Sequence, residues 1–355
     1  MIYLDNSATM MQTYYTGSYD TSGNANSPHG LGVEANKVLQ QCRERVKKVL
    51  NVTGGKVIFG GTASVLVDRL SDYFYGLFDI VSEVDHDCLV KNGEDRFTES
   101  DFSELDDMNF EELTVSHIHT NNITGQVYNL RALGKKVRKD GGYFIMDTTA
   151  TFGHAPIPID VELWCDCMCG SSHKFGGPQG TGFVWVSDRY AKLLGLNDSP
   201  HDEYGFWPGT PAVNNIVAMC NALEDANKCL ETKSSYWYGL TNYLLTKLEK
   251  YGIIAKVVDG DKTKTYAINA ITLDGIDSDA LVQYLSGLDI YVSPGHSACA
   301  QDNDTRVLEA CGLTKEQANN TIRVSYAPTT AQKEIDALAD GIKKFVDEFI
   351  EKEEK

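Results

Sequence analysis

The residues best suited to chemistry in this chain lie in the segment Ser171-Ser172-His173-Lys174-Phe175-Gly176-Gly177. Lys174 stands between a histidine and a glycine-rich turn, and apolar, β-rich residues flank this turn over 165–169 and 182–186. An amine beside a buried sheet loses hydration, so its pKa falls and it becomes a nucleophile that can form a Schiff base with an aldehyde. An ordinary loop lysine is the alternative for any single lysine, so this interpretation depends on the rest of the chain.

The elements around this turn alternate between strand and helix patterns. Strand patterns cover residues 56–59, 78–82, 113–119, 143–147 and 182–186, and helical spacing lies between them, as over 33–50 and 129–138. This alternation predicts a mostly parallel, doubly wound α/β sheet. Ligands of such sheets bind beyond the carboxyl ends of the strands. Four residues at or just after strand ends are expected to converge there: His86, Asn121, Asn122 and Asp147.

A second pattern begins after Thr210. Long helices are predicted over residues 212–251, then strands over 264–272, 290–293 and 321–326, a helix over 278–288, and a last helix from about 330 that turns Phe349 inward. We therefore predict two domains. The large, ligand-binding domain covers residues 13–228, and a smaller α+β domain combines residues 1–12 and 229–355.

Composition limits the function classes. The net charge of −18 argues against nucleic acid as a partner, because its phosphates would be repelled. No apolar run approaches the length of a membrane span, and the first residues carry no signal sequence. Nine cysteines are scattered through 355 residues, which fits reduced thiols better than a disulfide framework. We predict a cytoplasmic protein without nucleic-acid or membrane partners.

An activated lysine on a doubly wound sheet suggests pyridoxal 5′-phosphate. This cofactor requires a lysine, a carboxylate at its pyridine nitrogen, an anion cradle and a partner that stacks on its ring. Asp147 is the candidate carboxylate, and the turn 60–64 before a helix offers N–H groups and a helix dipole to phosphate. His86 alone would be read as a structural histidine. The order of all these residues along one chain is far more specific than any one of them.

With these residues in place, the chain resembles the class V aminotransferase family and, within it, the cysteine desulfurases. The resemblance runs almost from end to end. It is carried by Leu4-Asp5-Asn6-Ser7-Ala8-Thr9, Gly23-Asn24 through Ser27-Pro28-His29, Asp85-His86, His119-Thr120-Asn121-Asn122 with Gly125, Asp147, Ser171-x-His173-Lys174, Pro208-Gly209-Thr210, Ser297-Ala298-Cys299 and Arg323. It implies the fold type I architecture of pyridoxal-phosphate-dependent transferases.

The resemblance also implies roles for individual residues. The catalytic residues would be Lys174, Cys299 and His86. The cofactor would be bound by Lys174, Asp147, His86, Asn122, Ala63, Ser64, Ser171, His173 and, from the neighbouring subunit of a homodimer, Thr210. Arg323 and Asn122 would bind the substrate, L-cysteine. The reaction would yield L-alanine and a persulfide on Cys299, whose sulfur passes to an acceptor such as an iron–sulfur scaffold protein.

The residue types of Arg323 and Cys299 suit these roles. Arginine grips a carboxylate with two parallel hydrogen bonds, which lysine cannot do. Cys299 lies among small and polar residues, which is typical of an exposed, reactive thiol. His296, three positions earlier, lowers the pKa of this thiol when cationic, takes its proton when neutral, or is a loop histidine with no role. The other cysteines are read as packing. Cys165, Cys167 and Cys169 alternate along a strand, where they are poorly spaced for one tetrahedral ion, so no metal site is predicted.

The chain also departs from the family pattern. Ala150 stands in place of a glutamine expected near the ring hydroxyl, Trp207 in place of an arginine, and Ile123 in place of a glutamate. Other class V reactions therefore stay open, namely those of a selenocysteine lyase, a C–S β-lyase or an aminotransferase. A scaffold that keeps the fold without catalysis is the alternative from a different class, although the intact Lys174 and Asp147 argue against it.

Overall fold

The computed structural model describes residues 1–11, 23–72, 78–98, 105, 108–258, 262–296 and 304–350. The strands are β1 (Ile2–Tyr3), β2 (Lys56–Gly60), β3 (Phe78–Ser82), β4 (Gly93–Phe97), β5 (Thr114–Ile118), β6 (Tyr143–Asp147), β7 (Cys167–Ser171), β8 (Gly182–Val186), β9 (Ala255–Val257), β10 (Ile268–Leu273), β11 (Ile290–Tyr291), β12 (Ser293–Pro294) and β13 (Thr321–Ser325). The helices are α1 (Gly30–Val49), α2 (Ala63–Ser71), α3 (Asp87–Val90), α4 (Arg131–Lys139), α5 (Asp188–Leu193), α6 (Val213–Lys250), α7 (Ser278–Gly287), α8 (Arg306–Ala310), α9 (Lys315–Asn319) and α10 (Gln332–Phe345).

A seven-stranded sheet forms the centre of the fold, with the strand order β2-β8-β7-β6-β5-β3-β4. The pairings from β7 through β4 are parallel, and β8 runs antiparallel to both of its neighbours, β7 and β2. All residues of β5, β7 and β8 are buried, as expected for a sheet that is covered on both faces. The predicted, mostly parallel α/β fold is therefore confirmed.

Most strands of this sheet lie where the sequence predicts them. The bounds 78–82, 143–147 and 182–186 are confirmed. The segment predicted over 165–169 forms β7 two residues later, because Cys165 still belongs to the turn that follows the 3-10 helix Val161–Leu163, and its N–H donates to Val161 O at 2.9 Å. Strand β4 was not predicted. Its residues Gly-Glu-Asp-Arg-Phe are mostly exposed at the edge of the sheet, so they carry no apolar alternation.

The chain divides into two compact units. The large unit comprises Met11–His119 and Tyr128–Lys228, and the small unit comprises Met1–Met10, Thr120–Val127 and Cys229–Lys355. The segment Thr120–Val127 is fixed within the small unit by Gly125, which has a φ of +78°. A side chain at Gly125 would place its Cβ 2.2 Å from Ile268 O, so only glycine fits this close approach.

The small unit contains the antiparallel sheet β12-β13-β10-β9 and the parallel pair β1–β11. Residues predicted as one strand over 290–293 form two short strands with different partners, β11 with β1 and β12 with β13. The prediction that Phe349 faces inward is wrong, since its side chain is 51% exposed. The helix becomes a π-helical turn over Val346–Ile350, which changes the direction of the side chains that follow α10.

The helices predicted over residues 212–251 form one continuous helix, α6, of 38 residues. Its residues up to Lys228 belong to the large unit and the remainder to the small unit. Neither α6 nor any other helix in the described part of the chain combines the length and apolarity needed to cross a membrane.

Candidate active site

Lys174 is the last residue of a short 3-10 turn, Ser172–Lys174, that follows directly on β7. The turn is closed by the N–H groups of Phe175 and Gly177, which donate to Ser172 O at 3.2 and 3.0 Å. A side chain at Gly177 would bring its Cβ to 2.1 Å from Ser172 Oγ, so the glycine permits the tight packing. These contacts fix the half-buried Lys174 at the carboxyl end of β7.

Two histidines, His173 and His154, lie within electrostatic range of Lys174. Burial lowers the pKa of His173 to about 4, and the positive charges of Lys174 and His86 lower it further. Burial also lowers the pKa of His154 to about 4, with a smaller contribution from Lys174. Both imidazoles are therefore neutral at pH 7. The structure thus places His173, one of the predicted site residues, within electrostatic range of two others, Lys174 and His86.

Asp147 is the last residue of β6, the strand next to β7, and its side chain is buried. Its Oδ1 accepts the N–H of Thr149 at 2.8 Å and the S–H of Cys169 at 3.3 Å. Burial raises the pKa of Cys169 well above its usual value, and the charge of Asp147 adds to this effect, so the thiol remains a neutral donor. Two donors therefore fix one carboxylate oxygen at the end of the strand, as a partner for a pyridine nitrogen requires.

His86 precedes α3 and caps its first turn, because its Nδ1 accepts the N–H of Cys88 at 3.3 Å. In the neutral ring this hydrogen bond assigns the proton to Nε2. The neighbouring Asp85 is fully buried and accepts hydrogen bonds from Ser116 Oγ at 2.6 Å and from the Ser82 N–H at 3.1 Å. Burial raises the pKa of Asp85 to about 7, and the charge of Asp147 contributes to this shift.

The turn before α2 has the features of an anion cradle. The N-cap residue Thr62 makes no side-chain hydrogen bond to the helix, and the first turn of any α-helix leaves backbone N–H groups without helical partners. The N–H of Ala63 donates to Ser171 Oγ at 2.7 Å, which joins this turn to the end of β7. The remaining N–H groups of this first turn and the helix dipole suit a phosphate. Together with Lys174 and Asp147, these residues fit pyridoxal 5′-phosphate.

The segment that leads to Thr210 is anchored by a buried ion pair that the sequence did not indicate. Glu203 Oε1 accepts from Arg43 Nη2 at 2.7 Å, and its Oε2 accepts the Phe59 N–H at 2.8 Å. Asp202, Glu203 and Tyr204 all have φ between 48° and 63°, a region that non-glycine residues rarely adopt. We infer that the buried pair stabilises this strained turn. Beyond it, the exposed Thr210 accepts from Asn24 Nδ2 at 3.3 Å.

Arg323 and Asn122 both belong to the small unit. Arg323 lies in β13 and is almost fully buried. Its Nη2 donates to Asp5 Oδ1 at 2.9 Å and to Ser293 Oγ at 3.1 Å, and its Nη1 donates to Asn122 O at 3.2 Å. Asn122 therefore contacts the guanidinium through its backbone carbonyl.

Asn121 has a local structural role in this turn. Its Oδ1 accepts the N–H groups of Ile123 and Thr124 at 2.9 and 3.0 Å. Ile123 packs into an apolar cluster with Val258, Ala270, Val307, Leu308 and Ala318. A glutamate in that position would place a charge in this cluster, which explains the departure at residue 123.

His296 lies at the end of the short segment after β12. Its side chain is buried, and its Nε2 contacts Asp279 Oδ1 in α7 at 2.9 Å. The preceding Gly295 donates its N–H to Thr321 O at 2.6 Å, which fixes the backbone. The predicted sulfur carrier Cys299, with Ser297 and Ala298, lies outside the described residues.

Two further residues that the sequence singled out lie in the large unit, Ala150 buried and Trp207 partly buried. The backbone carbonyl oxygen of the buried Ala150 lies 3.1 Å from His154 Nδ1, its hydrogen-bond partner. Trp207 packs over Gly60, where an added Cβ would lie 3.2 Å from the indole ring. Cys165, Cys167 and Cys169 are buried, and burial raises the pKa of each thiol above its usual value. The described residues include no group of three or more His, Cys, Asp or Glu side chains that could hold a metal ion.

Comparison with known proteins gives consistent matches over nearly the whole chain. A model of the family described as aminotransferase class-V matches residues 92–338. The chain is 27% identical over 382 residues to the cysteine desulfurase IscS of Salmonella paratyphi B, and the match covers 97% of this chain and 92% of that protein.

Solved structures show the same fold. A NifS-like protein from Rickettsia africae superimposes with a TM-score of 0.84 at 22% identity, covering 98% of this chain and 99% of that chain. The structure of SspA in complex with cysteine has a TM-score of 0.72 at 19% identity, covering 93% and 100% of the two chains.

Proposed function

The chain belongs to the class-V aminotransferase family, and from this premise we propose that it is a pyridoxal-phosphate-dependent cysteine desulfurase. The observation that carries the proposal is the placement of Lys174 at the end of β7, where His173 lies within electrostatic range of both Lys174 and His86, beside β6, which ends in Asp147. A lysine, a buried carboxylate and a histidine at neighbouring strand ends are the groups that this cofactor requires.

The residues that would hold the cofactor are assigned as follows. Lys174 would bond its aldehyde, Asp147 would pair with its pyridine nitrogen, and His86 would cover its ring. The phosphate would bind to the first turn of α2, at Ala63 and Ser64, with Ser171, His173 and Thr210 of a second subunit; Asn122 would contact the ring hydroxyl. When bound, pyridoxal phosphate supplies an electron sink that stabilises negative charge at the substrate α-carbon.

The residues of the chain would then act in sequence on L-cysteine. Arg323 binds the α-carboxylate, and Lys174 Nζ takes the α-proton. The thiolate of Cys299 attacks the substrate sulfur, so that an S–S bond forms as the Cβ–S bond breaks. The electron pair of the broken bond stays on Cβ, which takes a proton, Lys174 returns the α-proton to Cα, and L-alanine leaves. Cys299 retains the sulfur as a persulfide.

Deprotonation of Cys299 is assigned to His296. A free thiol has a pKa of about 8.5, so most of it is protonated at neutral pH. The contact between His296 Nε2 and Asp279 orients the ring, and an imidazole oriented in this way is a suitable proton acceptor. The sulfur would pass from Cys299 to an acceptor protein, such as a scaffold for iron–sulfur clusters.

One assay tests the proposed function against its alternatives. The purified protein is incubated with L-cysteine and dithiothreitol, and all products are measured. A desulfurase gives sulfide and L-alanine in equal amounts. A C–S β-lyase gives pyruvate and ammonia, an aminotransferase gives a keto acid only when an amino acceptor is present, and a selenocysteine lyase acts on selenocysteine in preference to cysteine. No reaction and no cofactor absorbance would support a scaffold.

We also propose that the protein is a homodimer, because Thr210 is exposed and resembles a residue that reaches the phosphate of a neighbouring subunit. Twofold dimers are the commonest closed assembly. Sedimentation of the cofactor-loaded protein is expected to give the mass of two chains. A loaded and active monomer at working concentration would contradict this proposal.

Replacement of Arg323 by lysine tests the carboxylate-binding role. Lysine keeps the positive charge but loses the planar, two-point contact, so we expect the KM for L-cysteine to rise about tenfold, the cost of one charged hydrogen bond. Cofactor content, measured by absorbance, is expected to stay unchanged. If the cofactor is lost instead, Arg323 has a structural role.

A further inference from the structure

The guanidinium of Arg323 is already occupied by groups of its own chain. Its side chain is only 4% exposed and forms an ion pair with Asp5, whose side chain is 19% exposed. The guanidinium also donates to the hydroxyl of Ser293 and to the carbonyl of Asn122. Arg323 Nε is buried and has no hydrogen-bond partner within the described part of the chain.

These contacts decide how a carboxylate can bind. A guanidinium offers two edges for a two-point grip, one formed by Nε and Nη2 and the other by Nη1 and Nη2. Both edges include Nη2, and its two hydrogens are used by Asp5 Oδ1 at 2.9 Å and Ser293 Oγ at 3.1 Å. A substrate carboxylate therefore cannot form the two-point contact until Nη2 releases one of these partners.

Asp5 is the partner that the substrate group resembles. Its backbone is held in place, because residue 5 bridges to Ser325 and the Ser7 N–H donates to Ser325 Oγ at 2.8 Å. Only the side chain has to turn. A carboxylate with partial exposure can regain water, whereas a buried guanidinium without a counter-ion is strongly destabilised. Exchange of one carboxylate for another keeps Arg323 paired throughout.

We propose that Asp5 is an internal competitor for the substrate: its carboxylate holds Arg323 in the free protein and is exchanged for the α-carboxylate of the amino acid. This inference rests on the proposed role of Arg323 in substrate binding. In this proposal, Asp5 sets the affinity of the protein for amino acids. The protein should bind its substrate less tightly than it would if Arg323 had no carboxylate partner.

The test is the substitution Asp5→Asn, which keeps the shape and an oxygen acceptor but removes the charge. L-alanine is the probe, and its dissociation constant is measured from the change in cofactor absorbance. We expect the dissociation constant to fall about tenfold, since a neutral acceptor binds Nη2 less strongly than a carboxylate. Cysteamine, an amine without a carboxylate, should bind both proteins equally. The matched control is Asp336→Asn, which removes a carboxylate from a different ion pair of the small unit, that with Lys247, and should change the dissociation constant of L-alanine less than threefold.

The outcomes separate the two roles of Asp5. If Asp5→Asn melts at the same temperature as the parent and binds L-alanine equally or more weakly, the competitor proposal is wrong and Asp5 is a structural partner only. Should the variant not fold, a crystal structure of the parent with L-alanine decides the question. In that structure, a distance of more than about 3.5 Å between the Asp5 carboxylate and Arg323 Nη2, beyond the usual hydrogen-bond limit, supports the exchange. A hydrogen bond that persists between Asp5 and Nη2 refutes it. If Arg323→Lys leaves L-alanine binding unchanged, the proposed role of Arg323 fails instead.

Discussion

Lys174→Ala is expected to abolish turnover of L-cysteine, with a loss of roughly 10³-fold or more, since the same amine would both anchor the cofactor and transfer the α-proton. The visible absorbance band that borohydride bleaches in the parent should be absent from the variant. Sulfide release measures turnover, and the absorbance spectrum measures the bound cofactor. Equal melting temperatures of the parent and the variant show that both are folded.

Two further variants sharpen this result. Lys174→Arg keeps a positive charge at the end of β7 but cannot transfer a proton, so this variant should be as inactive as Lys174→Ala. Activity in Lys174→Arg would show that the positive charge alone is needed. Lys192→Ala, at an exposed position in α5, should leave activity and spectrum unchanged. Undiminished desulfuration by Lys174→Ala would remove the basis of the proposed mechanism.

The parts of the fold that the sequence predicts are those with strong local patterns. Apart from Asp147 at the end of β6, strands β6 and β8 are apolar segments whose residues are mostly buried, and their bounds follow from this local pattern. The edge strand β4 escapes prediction because an exposed strand needs no apolar residues. The π-helical turn after α10 also has no local signal in the sequence, which is why the direction of Phe349 was predicted wrongly.

The candidate site also contains residues that local patterns predict and contacts that they do not. Lys174, Asp147 and His86 stand at or near strand ends within recognisable motifs, so their positions follow from the order of the strands. The contacts that hold the site residues join distant parts of the chain. Arg43 and Glu203 are 160 positions apart, and Asp5 and Arg323 are 318 positions apart. No local pattern connects such residues, because tertiary packing alone brings them together.

This division matters for how Arg323 is interpreted. The sequence motif predicts an arginine that binds the carboxylate of the substrate, whereas the structure pairs this arginine with a carboxylate of its own chain. A buried guanidinium needs a counter-ion before the substrate arrives, so a partner was to be expected on energetic grounds. The sequence does not identify this partner, because Asp5 belongs to a motif at the opposite end of the chain.

Cys299→Ala is expected to remove sulfide release from L-cysteine while the cofactor absorbance band stays intact. The variant should still bind L-cysteine, since Arg323 and Lys174 are unchanged, but it lacks the thiolate that attacks the substrate sulfur. Mass spectrometry of the parent after a short incubation with L-cysteine should show one extra sulfur on the peptide that contains Cys299. The variant should show none.

The matched control is Cys311→Ala, another thiol of the small unit that is half-buried and lies outside the motif. It should retain sulfide release and the extra sulfur on Cys299, which excludes a general effect of removing a thiol. A Cys299→Ala protein that releases sulfide as fast as the parent would rule out the persulfide mechanism. Because elimination of the sulfur needs no protein thiol, a simple β-eliminating lyase or a lyase directed at selenocysteine would then be the better assignment.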